Sequence, residues 1–376
     1  MTRVAMNLLW CVPGVGGSEE YLVRQLSGLT EIDHEYHVDV FAPRGFSLRQ
    51  PRVAEHFTII EAPSECVRRE QRILLEHTWL ASHTRGYDIV HHGGGSIPRI
   101  GNRSTLLTLH DVQWVEYPQY VRPIKLKYLR SVVPSSLRRA ARIAVPSQFV
   151  AETLTASFGT PAEKIGVVRH GLESHFVNVA TPGNALRTKF SLGDGPVVVF
   201  PAITHPHKNH AFLLELMANG GGAWGDPTLR LVFAGSAGLA EESVRSMIRV
   251  LGLADRVVMP GRVSDADRNG LLAMADALVF PSTYEGFGAP VIEAMRSGTP
   301  VICSNLGSLP EVVGNAGLVC PLTTDEWVRA LDDVRARREH FIAAGYERAQ
   351  LFTAALSATD LVTQYDAMTS GGKKKL

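Results

Sequence analysis

The apolar residues of this chain fall in short runs, and most runs stop at a turn before a helical pattern begins. Val4–Trp10, Tyr36–Ala42, Phe57–Glu61, Tyr87–His92, Thr105–Leu109 and Arg142–Val145 are the runs of the first half. Runs this short and this continuously apolar suit strands buried on both faces. Gly93-Gly94-Gly95 ends one, His110-Asp111 another and Pro146-Ser147 a third. Repeated strand–loop–helix units predict an α/β architecture, a parallel sheet with helices on both faces. Ligands of such sheets sit beyond the carboxyl ends of the strands, where these loops lie.

The alternation restarts after a change of character. Residues 179–196 hold Val179-Ala180-Thr181-Pro182-Gly183 and a second turn-rich piece from Ser191 to Pro196, which reads as a linker. Val197–Phe200, Leu229–Ala234, Arg256–Met259, Ala277–Phe280 and Pro300–Ser304 follow as strands, with a helix expected from about Lys208. A chain of 376 residues is long for a single core, so two domains are expected. The expected division is a Rossmann-like domain over 1–178 and a second over 179–352. Two such domains facing each other leave an interdomain cleft. The tail 371–376 is expected to be disordered.

Composition removes several function classes. A formal net charge of +1 argues against a nucleic-acid partner. Cys11, Cys66, Cys303 and Cys320 form no CxxC pair and no zinc spacing, so a reduced, cytoplasmic setting is expected. No apolar run approaches the roughly 18 residues that a membrane span needs.

The most informative stretch is 280–293. The run Ala277–Phe280 stops at Pro281-Ser282, a glycine-bracketed loop follows, and Pro290 suits the first turn of a helix from Ala289 to Ser297 that Gly298 ends. A strand that feeds a tight turn and then a helix N-terminus points backbone N–H groups at one spot, which suits phosphate. Glu285 and Glu293 flank it and suit sugar hydroxyls better than phosphate. A nucleotide-sugar offers both chemistries together. Surface charge or helix capping is the alternative reading of the two glutamates.

Other residues add to this. Lys208, in Thr204-His205-Pro206-His207-Lys208-Asn209-His210, falls at a helix start, the wrong end for a cation unless an anion shares the place. The histidines of that stretch could suggest a metal, but no carboxylate or cysteine joins them. Gly16-Gly17 at the first strand–helix turn permits close backbone approach to a ligand, without forming a GxGxxG. His110 at a strand end can hydrogen-bond a sugar or phosphate; a structural role is the alternative. The Asp265-x-Asp267 pair could hold a metal, but Ser264 with Asp267 reads better as a helix cap. Arg122 to Arg142 holds seven basic residues and no acidic one. It could rest on an anionic membrane or meet an anionic acceptor; a solvated helix face is the alternative.

Glu285 to Glu293 is similar to the E-x7-E motif of the retaining GT-B glycosyltransferases of family 4. Gly16-Gly17, His110-Asp111, Val145-Pro146-Ser147, His170-Gly171, Lys208-Asn209, Gly261-Arg262-Val263, Pro281-Ser282 and Leu309-Pro310-Glu311 fall in that family's order. The resemblance implies the GT-B fold and a nucleotide-diphosphate sugar donor held mainly by the second domain. It also implies a glycan or lipid-linked acceptor at the first domain, retention at the anomeric carbon, and no metal or other cofactor. A helix within 353–370 is implied to cross back to the first domain. By the same resemblance Glu293 would bind the ribose, and Glu285 the donor sugar. Lys208 with the N–H groups of Gly286, Phe287 and Gly288 would hold the diphosphate. Arg262-Val263 would lie near the base, His110 near the transferred sugar, and Gly16 and Gly17 against the phosphates. One position departs from the pattern. Ile203 stands where the family commonly has an arginine, so His205 or His207 is expected to take part of that arginine's load. The P-H-K-N-H form is similar to a subset that transfers mannose from GDP-mannose. A UDP-sugar donor, a non-catalytic nucleotide-sugar-binding protein, and an epimerase or phosphorylase of the same fold are the alternatives.

Overall fold

The structure is a computed structural model that describes residues 1–13, 17–101 and 104–370. The expectations for Gly16 and for the tail 371–376 lie outside the described residues. The chain forms two compact units, the first made of Met1–Glu173 and the segment from Thr353 onward, the second of Ser174–Phe352.

Among the described residues, the first unit holds a seven-stranded parallel sheet. Its strands are β1 (Thr2–Asn7), β2 (Tyr36–Ala42), β3 (Thr58–Glu61), β4 (Ile89–His92), β5 (Thr105–Thr108), β6 (Arg142–Val145) and β7 (Ile165–Val167). They lie in the order β3-β2-β1-β4-β5-β6-β7. The second unit holds a six-stranded parallel sheet of β8 (Val197–Val199), β9 (Arg230–Val232), β10 (Val257–Val258), β11 (Ala277–Phe280), β12 (Val301–Ser304) and β13 (Leu318–Cys320). Their order is β10-β9-β8-β11-β12-β13. In both sheets the chain works outward from a central strand to one edge and then the other, a doubly wound Rossmann-like arrangement.

Several apolar runs outlast their ladders. Val4–Trp10 is continuously buried, yet β1 ends at Asn7, because burial persists into the loop that leaves the sheet. Strands β7 and β13 fall outside the runs singled out in the sequence. Each has three residues, mostly half-buried, too few for a clear pattern. Residues 179–196 are folded rather than a free linker. Gly183–Lys189 is a helix, and Leu186 and Leu192 are fully buried. Lys189 Nζ and Thr181 Oγ1 reach the two carboxylate oxygens of Asp267 at 2.6 and 2.7 Å. The glycines and prolines there mark turns around a short helix. The division between the units falls at Glu173/Ser174.

The C-terminal helix Ala354–Ser370 belongs to the first unit. Ala358, Leu361 and Tyr365 are fully buried in one cluster with Tyr21, Leu22 and Leu26 of the helix Gly17–Leu29. Burying one such side chain is worth about 1.5–3 kcal/mol. Close approach needs glycine on the facing helix: a Cβ at Gly28 would stand 2.0 Å from the Ala354 carbonyl oxygen. Asp360 takes a two-point bond from Arg169, at 2.9 and 3.0 Å. Arg142 donates to Gln364 Oε1 at 2.8 Å, which gives that arginine a structural task.

His91 of β4 completes the attachment. Its ring nitrogens lie 2.9 Å from the Tyr365 hydroxyl and 2.7 Å from the Thr108 hydroxyl. Burial, with His92 and His110 nearby, holds its pKa down at about 3. The unfolded chain takes up that proton near the ordinary value of 6.5, so the extra proton bound by the unfolded state makes stability fall as pH drops from about 6.5 towards about 3. His91→Leu should strand both hydroxyls, at about 1–3 kcal/mol each. It should also lower the slope of stability against pH by up to about 1.4 kcal/mol per pH unit. Urea unfolding at about pH 7.5 and about pH 5 measures both, and an unchanged slope would contradict the assignment.

Candidate functional site

Two loops of the second unit leave the carboxyl ends of neighbouring strands. The first follows β8. It runs through Thr204 into a tight turn at Pro206–Lys208, and the helix begins at His210 rather than at Lys208. Asn209 joins turn and helix with φ 58°, a left-handed conformation that asparagine tolerates. Thr204 fixes the loop from below. Its hydroxyl donates to Glu241 at 2.7 Å and accepts from the Gly238 N–H at 2.7 Å, and its carbonyl accepts from the Ala240 N–H at 2.8 Å.

The second loop follows β11 and holds Glu285, Gly286, Phe287 and Gly288. Gly288 has φ 92° and stands at the N-cap of the helix Ala289–Arg296, with Pro290 in its first turn. The leading N–H groups of a helix have no acceptor within it, so this end suits an anion. The loop is gripped by Gly307-Ser308. Gly307 has φ 63°, and a Cβ there would stand 2.8 Å from the Glu285 nitrogen. The Ser308 N–H and hydroxyl both donate to the Glu285 carbonyl, at 3.2 and 3.1 Å.

The two loops meet. The Thr283 N–H donates to the His207 carbonyl at 2.7 Å, and Lys208 Nζ lies 2.5 Å from Glu285 Oε1. Both side chains are largely shielded, 15% and 11% exposed, so the pair acts in a medium of low polarity. Glu293 lies one helical turn into Ala289–Arg296 and is buried, with Arg268 Nε 3.9 Å from its Oε2. His207 is neutral near pH 7: burial, then Lys208, holds its pKa down at about 3. It can offer a hydrogen bond but not the charge of the arginine that Ile203 replaces. His210 packs between Phe200 and Phe233, each ring 4.7 Å away, while the rings of His205 and His207 lie 5.7 Å apart. Among the described residues, no group of three or more His, Cys, Asp and Glu could hold a metal. Asp267 is engaged with Lys189, Thr181 and the Ser264 cap.

The remaining expected residues have surroundings of their own. Phe287 is buried against Phe352, ring centroids 5.7 Å apart. Arg262 is exposed and Val263 half-buried, in the loop after β10. His110 and Gly17 lie in the first unit. His110 Nε2 is 2.9 Å from the Gly93 carbonyl oxygen, and its ring packs edge-on against Tyr21. Burial lowers its pKa, against an opposing contribution from that carbonyl. Gly17 opens the helix Gly17–Leu29, and a Cβ there would meet nothing within 4 Å. Of the basic stretch, Arg139 donates to the Ile97 and Pro98 carbonyls, while Ile124 and Lys125 face solvent.

Thr204, Arg268 and Gly307-Ser308 were not singled out in the sequence. The Asx-like signal of a threonine before a tight turn, and a glycine-serine pair after a strand, are the only local hints. The ion pair yields a prediction. An anion that binds Lys208 competes with Glu285 for the same positive charge. Glu285→Gln should therefore tighten binding of inorganic pyrophosphate at least about tenfold, while lowering stability by several kcal/mol for an unpaired buried cation. Titration calorimetry and thermal unfolding measure the two effects, and weaker pyrophosphate binding in the variant would refute the exchange.

Comparison with known proteins identifies the family. The family described as "Glycosyltransferase Family 4" matches residues 15–176, and that described as "Glycosyl transferases group 1" matches residues 185–348. The chain is 29% identical over 291 residues to an O-antigen chain mannosyltransferase B of Escherichia coli, covering 73% of this chain and 68% of that protein. It is 30% identical over 247 residues to an O-antigen chain mannosyltransferase of Salmonella typhimurium, covering 65% and 63%. The crystal structure of Anabaena HepE in complex with UDP and glucose is similar in fold, with a TM-score of 0.74 and 19% identity over 98% of this chain and 100% of that one. The two matching families in tandem, on two Rossmann-like units, show that the chain belongs to the GT-B glycosyltransferases of family 4 and is a glycosyltransferase.

Proposed function

We propose that this enzyme transfers a hexose from a nucleotide-diphosphate sugar to a glycan or lipid-linked acceptor with retention at the anomeric carbon. Mannose from GDP-mannose is the preferred donor reading. The observation that carries the proposal is the buried Lys208–Glu285 pair beside the N-terminus of the helix that bears Glu293. The two mannosyltransferase relatives favour mannose. A UDP-sugar donor is the second reading, favoured by the fold neighbour bound to UDP and glucose.

The chemistry follows from charge. As the bond from the anomeric carbon to the phosphate oxygen breaks, the diphosphate gains negative charge. Lys208 and the N-terminus at Gly286–Gly288 stabilise it, with His207 adding a neutral hydrogen bond. Glu285, released from Lys208, accepts a hydrogen bond from a donor-sugar hydroxyl, and Glu293 does the same for the ribose. The acceptor oxygen bonds to the anomeric carbon on the face the phosphate leaves, and its proton passes to the departing phosphate oxygen. Lysine and helix dipole supply the positive charge, so no divalent metal is invoked.

GDP-mannose, UDP-glucose and UDP-N-acetylglucosamine, each incubated with the enzyme, should show release of nucleotide from one of them, greatest for GDP-mannose. Lys208→Ala should lower the rate on the order of 10²-fold or more, and a chelator should leave it unchanged. Near-normal turnover in Lys208→Ala, or failure to bind any of the donors, would overturn the proposal.

A further inference from the structure

The side chain of Glu293 is 4% exposed, and both of its oxygens accept freely from neighbouring hydroxyls only when it is ionised. Burial works against that charge. The helix Ala289–Arg296 gives little help, because a helix dipole acts within the first turn and Glu293 is the fifth residue. A side chain has to meet the charge, and the neighbouring helix supplies a guanidinium. Arg268 Nε lies 3.9 Å from Glu293 Oε2.

Arg268 belongs to the helix Asp265–Met274 and has further contacts there. Its Nη1 lies 3.3 Å from Asp265 Oδ1, and its guanidinium stands over the Phe176 ring, 5.6 Å from the centroid. Asp265 is 84% exposed, where an ion pair is worth little, so the charge of Arg268 acts mainly on the buried carboxylate. Around the two, Asp267 is bonded to Lys189, and Arg348 of the helix Arg338–Ala349 donates to the Glu311 and Val312 carbonyls. Arg296 lies beside Ser297 and Tyr346, and β11 and β12 bring no charged side chain.

The two glutamates of the site thus stand differently towards their cations. A diphosphate brings negative charge and competes for Lys208. A ribose brings none, and it leaves the Arg268–Glu293 pair in place. We propose that Arg268 is a positioning residue for donor binding, which holds Glu293 ionised so that it accepts the ribose hydroxyls at any state of the Lys208 pair. This rests on the reading of Glu293 as the ribose acceptor.

Carboxyl-carbon NMR of the full chain, with the Glu293 signal assigned through Glu293→Gln, tests the charge. Glu293 should titrate about one pH unit or more higher in Arg268→Gln and in Arg268→Met than in the wild-type chain, and Arg268→Lys should restore most of the difference. A cooperative thermal transition in each variant shows that it is folded. Calorimetry with GDP and UDP tests the use of that charge. Relative to wild type at the same pH, Arg268→Gln should weaken binding more at about pH 5.5 than at about pH 8, by up to about tenfold for each pH unit by which Glu293 is raised. The 2′,3′-dideoxy nucleotides, which lack the ribose hydroxyls, should show no such difference. A Glu293 titration unchanged in both charge-removing variants would overturn the role of Arg268. A raised titration with the same pH dependence for the dideoxy nucleotides would overturn the ribose reading, and the proposal with it.

Discussion

The contact between Lys208 and Glu285, at 2.5 Å, sets the terms for the rest of the second unit. Neither charge could remain shielded there alone, because an unpaired buried ion costs several kcal/mol. The surrounding backbone is arranged to keep the two ends together. Thr204 holds the loop of Lys208 through four hydrogen bonds, its own N–H donating to the Ser236 carbonyl as the fourth, and Ser308 holds the Glu285 carbonyl through two. The Thr283–His207 bond ties the two loops directly. Under the proposed function, the pair is a site held ready: a diphosphate would replace the carboxylate at Lys208, and the carboxylate would then be free for a hydroxyl. This one contact would then serve both halves of a nucleotide-sugar.

The first unit relies on a different constraint. Its sheet begins with the first strand and is covered by the last helix, so chain ends far apart in sequence share one core. The bonds from His91 to Tyr365, from Arg169 to Asp360 and from Arg142 to Gln364 all join the C-terminal helix to the sheet or to the chain just beyond it. Several of the polar groups in this core are histidines kept neutral by burial. Acid therefore acts on this unit through His91 and His92, whose pKa values are both held at about 3.

How much of this was legible depended on range. Local chemistry could be read directly: the Ala277–Phe280 strand, the Ser264 cap on Asp267 and the Gly288–Pro290 helix start all depend on neighbours within a few residues. Three-residue edge strands such as Ile165–Val167 and Leu318–Cys320 carry too little pattern to be seen. The glycines and prolines of 179–196 marked turns, but turns around a helix look like those of a linker until Leu186 finds its core. At the site, Lys208 and Glu285 were each expected to serve a ligand, yet their bond to one another spans 77 positions and has no local trace. The same holds for the grip of Gly307-Ser308 on Glu285 and for the neutrality of His207, which is a consequence of burial.

The most direct measurement of the central claim is a crystal structure of the enzyme with an intact nucleotide-diphosphate sugar bound. The account predicts that the Lys208–Glu285 contact, 2.5 Å in the unliganded chain, opens beyond hydrogen-bonding distance. Lys208 Nζ should then meet a phosphate oxygen, and Glu285 a hydroxyl of the sugar. A donor bound with the ion pair intact and its diphosphate away from Lys208 would contradict the account.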